Sequence, residues 1–308
     1  MNCPNCSADR DELAFECASC GIVFSKWVSP QFTRKAKLEQ ARDRLRKAAS
    51  TPHDGRIGRT ELLIMIPGLV LAMIVYAVPF LRFVFHALIT LFHEFGHAVA
   101  GWLLGYPSIP AFDFAYGGGV TPHGEFRLSI VLAIAGGFAW AAYLYRRNTR
   151  TLIVLGAIFL IWLFFASAEW RRQFVFSAAG HATELILAAI FFYMALAGVG
   201  FRIPELERPL AAFVAFFVTI SSIQFARQLR ADPDFLAWYI EGKRGMMMDL
   251  ESISLDMRIH TPAVNLDVPG VAGWLMVFSI IPFGIALLWY FNRVRAHRLL
   301  AELLKTDV

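Results

Sequence analysis

Seven apolar stretches, separated by short charged segments, constrain the fold of this chain more than any other feature of its sequence. Each stretch comes close to the ~20 residues that a helix needs to cross the hydrocarbon core of a bilayer. Backbone groups in lipid must form their hydrogen bonds within their own segment, so all seven should be helices. The sequence therefore predicts an all-α polytopic membrane protein with six or seven transmembrane helices. The stretches are residues 62–81, 83–105, 128–145, 152–168, 174–200, 210–225 and 271–291.

Charged residues are scarce, and an excess of positive charge lies just before the first apolar stretch. Only 17% of the 308 residues are charged, against about a quarter in a soluble domain. The basic run from Lys26 to Lys47 falls mostly in a predicted linker, 29–60, between a head, 1–28, and a membrane domain, 61–308. Basic residues beside a span favour the cytoplasmic side and attract anionic lipid. We therefore predict a multi-pass protein of the cell membrane, with a cytoplasmic head and no nucleic-acid partner.

Two features of the membrane domain allow more than one interpretation. Seven spans would place the basic tail, 293–298, on the side opposite to the basic linker, against the positive-inside rule. One re-entrant segment would leave six spans. Residues 106–127, which are rich in Gly and Pro, could form a re-entrant strand or hairpin or a plain loop. Residues 226–270 could form an interfacial helix or a small cap.

All four cysteines of the chain lie in its first twenty residues. They form two Cys-x-x-Cys pairs, Cys3 with Cys6 and Cys17 with Cys20. A two-residue gap lets one tight turn present both thiolates to a single metal ion, and two such turns complete a closed tetrahedral site. Gly21, directly after the second pair, suits a backbone position with positive φ. We predict one structural zinc ion in this zinc-ribbon-like head rather than a redox or disulfide pair, which a cytosolic compartment disfavours.

An HExxH motif, His93-Glu94-Phe95-Gly96-His97, lies inside the second apolar stretch. On a helix the two histidines are one turn apart and can bind one zinc ion, and Glu94 is placed to take a proton from water on that ion. Three ionisable side chains in the middle of an apolar helix are costly, which indicates a functional site. The alternative is a polar stripe that packs helices through hydrogen bonds. His86, nearly two turns before His93, should line the site rather than bind the metal.

The string Phe92-His93-Glu94-Phe95-Gly96-His97-Ala98-Val99-Ala100-Gly101 resembles the zinc helix of the site-2 protease family of intramembrane metalloproteases. The resemblance implies that His93 and His97 bind a catalytic zinc ion and that Glu94 is the catalytic base. In that family an Asp in an Asn-Pro…Leu-Asp-Gly context supplies the third ligand. That motif is absent here, and the nearest string is 265–270. The chain therefore resembles a divergent branch of the family.

The third ligand of the catalytic zinc ion has to come from another part of the chain, because such a site needs three protein ligands and one open position. His181 and Glu184, at i and i+3 of the fifth apolar stretch, point the same way from their helix. We predict Glu184 as the third ligand and His181 as a catalytic residue that orients Glu184 or stabilises an oxyanion. His181 itself and Asp267 are the alternative ligands. The alternative without a metal is that His181 and Glu184 bond only to each other and to a neighbouring helix. The polar residues within 219–224 could line a water path to the metal or join helices.

These features together predict an intramembrane zinc metalloprotease that hydrolyses peptide bonds in or near the transmembrane segments of membrane proteins, as in regulated intramembrane proteolysis. It would use one catalytic and one structural zinc ion, and its partners would be a membrane-protein substrate and the lipid bilayer. Two alternatives stay open. The two His-and-Glu helices could belong to a membrane metal protein without protease activity, such as a di-iron oxidase or a metal carrier. A catalytically inactive scaffold would only bind membrane partners.

Overall fold

The computed structural model describes residues 2–9, 15–24, 57–113, 118–241 and 247–304. The chain forms two compact units, Met1–His53 and Asp54–Val308. This division falls within the predicted linker, 29–60, which lies outside the described residues except for its last four.

Two similar turns, each containing one cysteine pair, make up the described part of the head. An isolated antiparallel β-bridge closes each turn. The bridges are Asn2–Asp9 and Glu16–Val23. In both turns the residue four positions after the first cysteine has a positive φ, 63° at Ser7 and 68° at Gly21. The positive φ predicted for Gly21 is confirmed, and the repeat shows that the two cysteine pairs sit in equivalent turns.

Ten α-helices, one β-hairpin and one 3₁₀ turn form the regular structure in the described part of the membrane unit. In chain order they are α1 (Arg59–Ala77), α2 (Pro79–Leu103), β1 (Ala111–Asp113), β2 (Gly118–Val120), α3 (Leu128–Leu144), α4 (Thr149–Ala166), α5 (Glu169–Ala197), α6 (Pro204–Ala231), α7 (Pro233–Glu241), α8 (Asp249–His260), the 3₁₀ turn (Pro262–Val264), α9 (Val268–Phe291) and α10 (Arg293–Leu303).

Six of these helices, α1, α2, α4, α5, α6 and α9, are long and apolar enough to cross a membrane. The helix α3 is also apolar, but it has only 17 residues. At 1.5 Å per residue it is roughly 25 Å long, shorter than the ~30 Å hydrocarbon core. The predicted class, an all-α polytopic membrane protein with a small N-terminal cysteine head, is confirmed. Of the two predicted counts, six spans agrees with the lengths of the described helices.

The interior of the membrane unit is packed between α1, α2, α5, α6 and α9, and small side chains bring these helices together. Ala72 of α1, Ala188 of α5 and Ala212 of α6 have no exposed surface. A Cβ atom added at Gly68 of α1 would lie 2.6 Å from the Cβ atom of Ala212. Lipid competes with apolar side chains for apolar contacts, so helices in a membrane associate best where small residues allow close packing. By contrast α3 buries none of its residues, which places it at the periphery.

The connection between α6 and α9 contains the two short helices α7 and α8 and the 3₁₀ turn. The helix α8 packs against α5 and α9, and its first turn is tied to α7 by the hydroxyl of Tyr239, which accepts a hydrogen bond of 3.1 Å from the backbone N–H of Leu250. Burial and the charge of Asp249 raise the pKa of Tyr239, which therefore stays a neutral phenol. At the next turn Ser254 donates a hydrogen bond of 2.8 Å to the carbonyl oxygen of Leu266. These contacts fix the start of α8, where Asp249 lies.

Candidate metal centre

Three side chains from two distant parts of the sequence converge on one point beside α2. Oδ2 of Asp249, the first residue of α8, lies 2.7 Å from Nε2 of His93 and 3.1 Å from Nε2 of His97. The two Nε2 atoms are 2.9 Å apart. Burial raises the pKa of Asp249, but the contacts with His93 and His97 outweigh it and hold the pKa well below its usual range, so Asp249 is a carboxylate. Imidazole nitrogens and carboxylate oxygens are the donors that hydrolytic zinc sites use.

The hydrogen bonds on the other edge of each imidazole indicate where the ring protons lie. Nδ1 of His97 is 2.7 Å from the carbonyl oxygen of Phe176, and Nδ1 of His93 is 2.6 Å from Oε1 of Glu184. Both partners are acceptors, so each ring carries a proton on Nδ1. In the tautomer that binds a metal ion, the lone pair of Nε2 is then directed towards Asp249. Two lone pairs and an anionic oxygen so close together repel one another unless a cation lies between them. The donor set therefore fits a divalent metal ion.

Glu184, the predicted third ligand, reaches His93 at the opposite edge of the ring. It contacts Nδ1 of His93, whereas His97 and Asp249 lie at Nε2. His93, His181 and Glu184 form a second group of possible ligands, with one donor atom from each residue within 4.8 Å of the others. The structure thus brings the predicted residues together, but it offers Asp249 as the third partner of the two histidines of the HExxH motif.

His181 lies beside this second group. Its ring centroid is 4.7 Å from that of His93, and its Nδ1 atom is 3.5 Å from Oε1 of Glu184. Nδ1 is buried and has no hydrogen-bond partner among the described residues. The expected proximity of His181 and Glu184 on one helix face is present, and the catalytic role of His181 stays a prediction.

Glu94 is buried between α2 and the hairpin. Its Oε2 atom accepts a hydrogen bond of 2.6 Å from the hydroxyl of Thr121, which also lies 3.1 Å from the carbonyl oxygen of Glu94. Gly119 of β2 passes so close that an added Cβ atom would overlap the Glu94 carboxylate. Of the structures expected for residues 106–127, the hairpin is the one observed, because β1 and β2 pair antiparallel. It holds the carboxylate of the HExxH motif in one position.

Two glycines allow α2 and α5 to cross closely at the centre. A Cβ atom at Gly180 of α5 would lie 2.5 Å from Nε2 of His93 and 2.6 Å from Nε2 of His97. A Cβ atom at Gly96 of α2 would lie 2.5 Å from the hydroxyl oxygen of Thr183. Neither glycine has a positive φ. Both are therefore needed for space, and Gly180 leaves room at the two nitrogens where a metal ion would bind.

A cavity of about 580 Å³ adjoins the centre, within the size range of small-molecule sites. It is bounded by parts of α1, α2, β2, α5, α6, α7 and the start of α8. His86 lines it, as expected, and so do Ser221 and Ser222, whereas Thr219 bonds within its own helix to the carbonyl oxygen of Ala215. The other polar and charged residues of its wall include Arg82, Thr90, His93, Glu94, His181, Glu184, Gln228 and Asp249.

Asp249 was not among the ligands predicted from the sequence, and Asp267 was. Asp267 instead caps the start of α9, where its Oδ1 atom accepts a hydrogen bond of 2.8 Å from the backbone N–H of Gly270. The one local signal for Asp249 is an acidic residue at the start of a short amphipathic pattern, in which Leu250 and Ile253 are buried. That pattern predicts a helix but gives no reason to connect it with the HExxH motif.

The four cysteines of the head form a separate cluster that could hold a metal ion, with donor atoms within 4.8 Å of one another. The sulfur atoms of Cys3 and Cys20 are 3.8 Å apart and those of Cys6 and Cys17 are 3.6 Å apart, far longer than a disulfide bond of ~2.05 Å. Burial raises the pKa of Cys3, but hydrogen bonds from the backbone of Asn5 and Cys6 outweigh it and lower the pKa to about 6. A thiolate is the form that binds metal.

The resemblance to the site-2 protease family rests on residues 92–101 and on the multi-span layout, and it stays a prediction. The convergence of His93, His97 and Asp249 is independent of that resemblance, because Asp249 was not part of it. No family model, no curated protein and no solved structure matches this chain.

Proposed function

We propose that this chain is an intramembrane zinc metalloprotease that hydrolyses peptide bonds in or near the transmembrane segments of other membrane proteins. The observation that carries the proposal is the convergence of His93 Nε2, His97 Nε2 and Asp249 Oδ2 on the cavity that Glu94 also lines. Two imidazoles and one carboxylate are the ligands of several zinc hydrolases. A zinc ion held by these residues would supply the Lewis acid that activates water and polarises the scissile carbonyl group.

The chain's own residues supply the proton transfers of the reaction. During hydrolysis the oxygen of a water molecule bonds to the carbonyl carbon, and the bond from that carbon to the amide nitrogen breaks. Glu94 takes the proton that the water loses and delivers it to the departing nitrogen. The hydrogen bond from Thr121 to Oε2 fixes the Glu94 carboxylate and orients Oε1 for this transfer. His181, on the cavity wall, is the candidate donor to the carbonyl oxygen as negative charge develops on it.

The hairpin and the cavity support a peptide as the substrate. A transmembrane helix uses its own carbonyl groups in internal hydrogen bonds, so it must unwind locally before it can be cut. The pair β1–β2 is a two-stranded sheet, and an extended segment can join the open edge of such a sheet through main-chain hydrogen bonds. Gly118 and Gly119 of β2 line the cavity beside Glu94. In this proposal the opened substrate runs along the hairpin, with its scissile carbonyl group towards Glu94.

The remaining parts of the proposal concern the head and the location of the chain. The four-cysteine cluster of the head would hold a second, structural zinc ion, since four cysteines make a closed site with no position for a substrate. We place the chain in the cell membrane, in contact with lipid, with the head in the cytoplasm. The basic run before the first span supports that orientation.

The two alternatives agree less well with the geometry. A di-iron bundle holds two ions with carboxylates and histidines that project inward from four helices. Here Glu94 bonds to Thr121, and the two groups of possible ligands share His93, which would have to serve both ions. An inactive scaffold does not require a buried carboxylate, here that of Glu94, beside the centre.

The full-length protein, reconstituted with zinc, tests this proposal when it is incubated with a library of single-span peptides that carry helix-breaking Gly and Pro residues. Mass spectrometry in H₂¹⁸O should show cleaved peptides with ¹⁸O in the new carboxyl terminus. Glu94→Gln should lower the cleavage rate by about 10²–10⁴-fold, the usual contribution of a general base, and should keep the metal. Cleavage that survives Glu94→Gln, or two iron ions in the membrane unit, would contradict the proposal.

A further inference from the structure

Glu184 is a buried carboxylate inside a membrane-spanning helix, and the two oxygens of its carboxylate have different partners. Oε1 lies 2.6 Å from Nδ1 of His93. Oε2 accepts a hydrogen bond of 3.2 Å from the hydroxyl of Ser222 on α6. Only 4% of Glu184 is exposed. The side chain therefore links α5 and α6 to one particular nitrogen of the HExxH motif.

In the described part of the chain, the burial of Glu184 is compensated by ion pairs with histidines and not with Lys or Arg. Among the described residues its ion-pair partners are the histidines His93 and His181, and neither Lys nor Arg pairs with it. A carboxylate at such a depth costs several kcal/mol unless it is compensated. His93 lies between Glu184, which contacts Nδ1, and Asp249, which contacts Nε2. A cation bound at Nε2 would therefore be linked to Glu184 through the imidazole ring. A cation at that nitrogen would compensate both carboxylates through one imidazole.

A histidine that binds a metal usually donates its other N–H group to a carboxylate or a carbonyl oxygen, which fixes the tautomer and makes the ring a stronger ligand. His97 has such a partner in the carbonyl oxygen of Phe176. Glu184 is the corresponding partner of His93, but as an anion it makes the stronger, charge-assisted bond. The two histidines of the motif are thus oriented from α5 at two levels of the same helix.

We propose that Glu184, held by Ser222, is the positioning residue that keeps the proton of His93 on Nδ1 and so presents Nε2 to the catalytic metal ion. This inference rests on the proposed function, because it assumes a metal ion between His93, His97 and Asp249. In this proposal Glu184 orients a ligand, His93, whereas the sequence suggested that Glu184 itself is a ligand. The proposal also gives Ser222, one of the polar residues within 219–224 of α6, a role in the centre.

Metal affinity tests the proposal without any need for cleavage. The full-length protein is titrated with Co²⁺ against a competing chelator, because the visible absorption of Co²⁺ differs between four thiolates and an imidazole–carboxylate site, so the two sites are counted separately. Glu184→Ala should weaken binding at the imidazole–carboxylate site by about 10–100-fold, the usual effect of losing such a partner. Glu184→Gln should have a smaller effect, because its amide can accept from His93 and donate to Ser222. The bands of the four-thiolate site should not change.

A matched pair of serines supplies the control. Ser222→Ala removes a hydroxyl that bonds both Glu184 and the carbonyl oxygen of Val218, and it should weaken Co²⁺ binding less than Glu184→Ala does. Ser279→Ala removes a buried hydroxyl whose one hydrogen bond among the described residues goes to the carbonyl oxygen of Leu275 in its own helix, and it should leave Co²⁺ binding unchanged.

Two results would overturn the positioning role. One is unchanged Co²⁺ affinity in both Glu184→Ala and Glu184→Gln. The other is complete loss of the site in Glu184→Gln with retention in Asp249→Asn, which would make Glu184 a ligand. If Glu184→Ala does not fold, the isosteric Glu184→Gln decides alone. A protein that binds Co²⁺ as expected but cuts no peptide contradicts the proposed protease function and leaves the positioning role intact.

Discussion

Nδ1 of His97 on α2 lies 2.7 Å from the carbonyl oxygen of Phe176 on α5. Because a carbonyl oxygen can only accept, Nδ1 of His97 carries a proton in this contact, and Nε2 is the nitrogen whose lone pair can bind a metal ion. The contact also requires the backbones of two membrane helices to be near each other, which is possible only where one helix presents a small residue. The orientation of His97 is therefore set by the backbone of α5, a helix that is far from His97 in the sequence.

The first prediction concerns the glycine that allows this approach. Gly180→Ala should weaken Co²⁺ binding at the membrane centre roughly tenfold or more, because the new methyl group would meet the Nε2 atoms of His93 and His97 at 2.5 and 2.6 Å, and such overpacking costs ~1–3 kcal/mol. The titration with visible absorption described above measures it. Gly156→Ala on α4, where an added Cβ atom meets nothing within 4 Å, is the control and should bind Co²⁺ like the unmodified protein.

The second prediction separates the two aspartates that could complete the site. Asp249→Asn should reduce metal affinity at the centre by more than about 100-fold, since it removes a ligand rather than an outer partner. Asp267→Asn removes the same charge but should leave the affinity unchanged, because Asn caps a helix about as well as Asp. Metal content after dialysis against a chelator distinguishes the two. Equal retention of metal by both variants would show that Asp249 is not a ligand.

The difference between what the sequence predicts and what the structure shows follows from the range of the interactions. The spans and the shared face of His93 and His97 depend on composition and on one helical turn, so they are predictable locally. The Cys-x-x-Cys turns and the positive φ of Gly21 are local as well. Asp249 reaches His97 across 152 positions, and its place depends on how α8 docks through Leu250, which no local pattern expresses.

Glu184 shows the same limit inside a span. Its polarity within an apolar helix predicts a functional role, and its spacing from His181 places both on one face. Which nitrogen of His93 it meets depends on the depth at which α2 and α5 cross, and Gly96 and Gly180 set that depth. The sequence therefore identifies the residue but not its role.

The third prediction concerns Thr121, whose hydroxyl donates a hydrogen bond to the carboxylate of Glu94, the proposed catalytic base. Thr121→Val keeps the shape of the side chain but removes the hydrogen bond to Glu94. A hydrogen bond to a charged group contributes ~1.5–3 kcal/mol, so the cleavage rate should fall roughly 10- to 100-fold while metal content stays constant. Thr121→Ser, which restores the hydroxyl, should recover most of the rate. Thr219→Val removes a hydroxyl whose hydrogen bond, as far as the described residues go, is to the carbonyl oxygen of Ala215 in its own helix, and it should have no such effect on cleavage. A rate unaffected by Thr121→Val would contradict the proposed orientation of Glu94.

The last prediction uses the two equivalent turns of the head. Ser7 has a φ of 63° at the position where the second turn has Gly21 with a φ of 68°. A side chain in this left-handed region costs roughly 1–2 kcal/mol, and glycine does not have this cost. If the turns close only around a bound ion, Ser7→Gly should tighten Co²⁺ binding to the four thiolates about fivefold or more, and Gly21→Ala should weaken it by a similar factor. Ser19→Gly, in the same unit but without a positive φ, should not tighten binding. If Ser7→Gly and Ser19→Gly give the same affinity, the turns do not limit metal binding, and the head is held in shape by other parts of the chain.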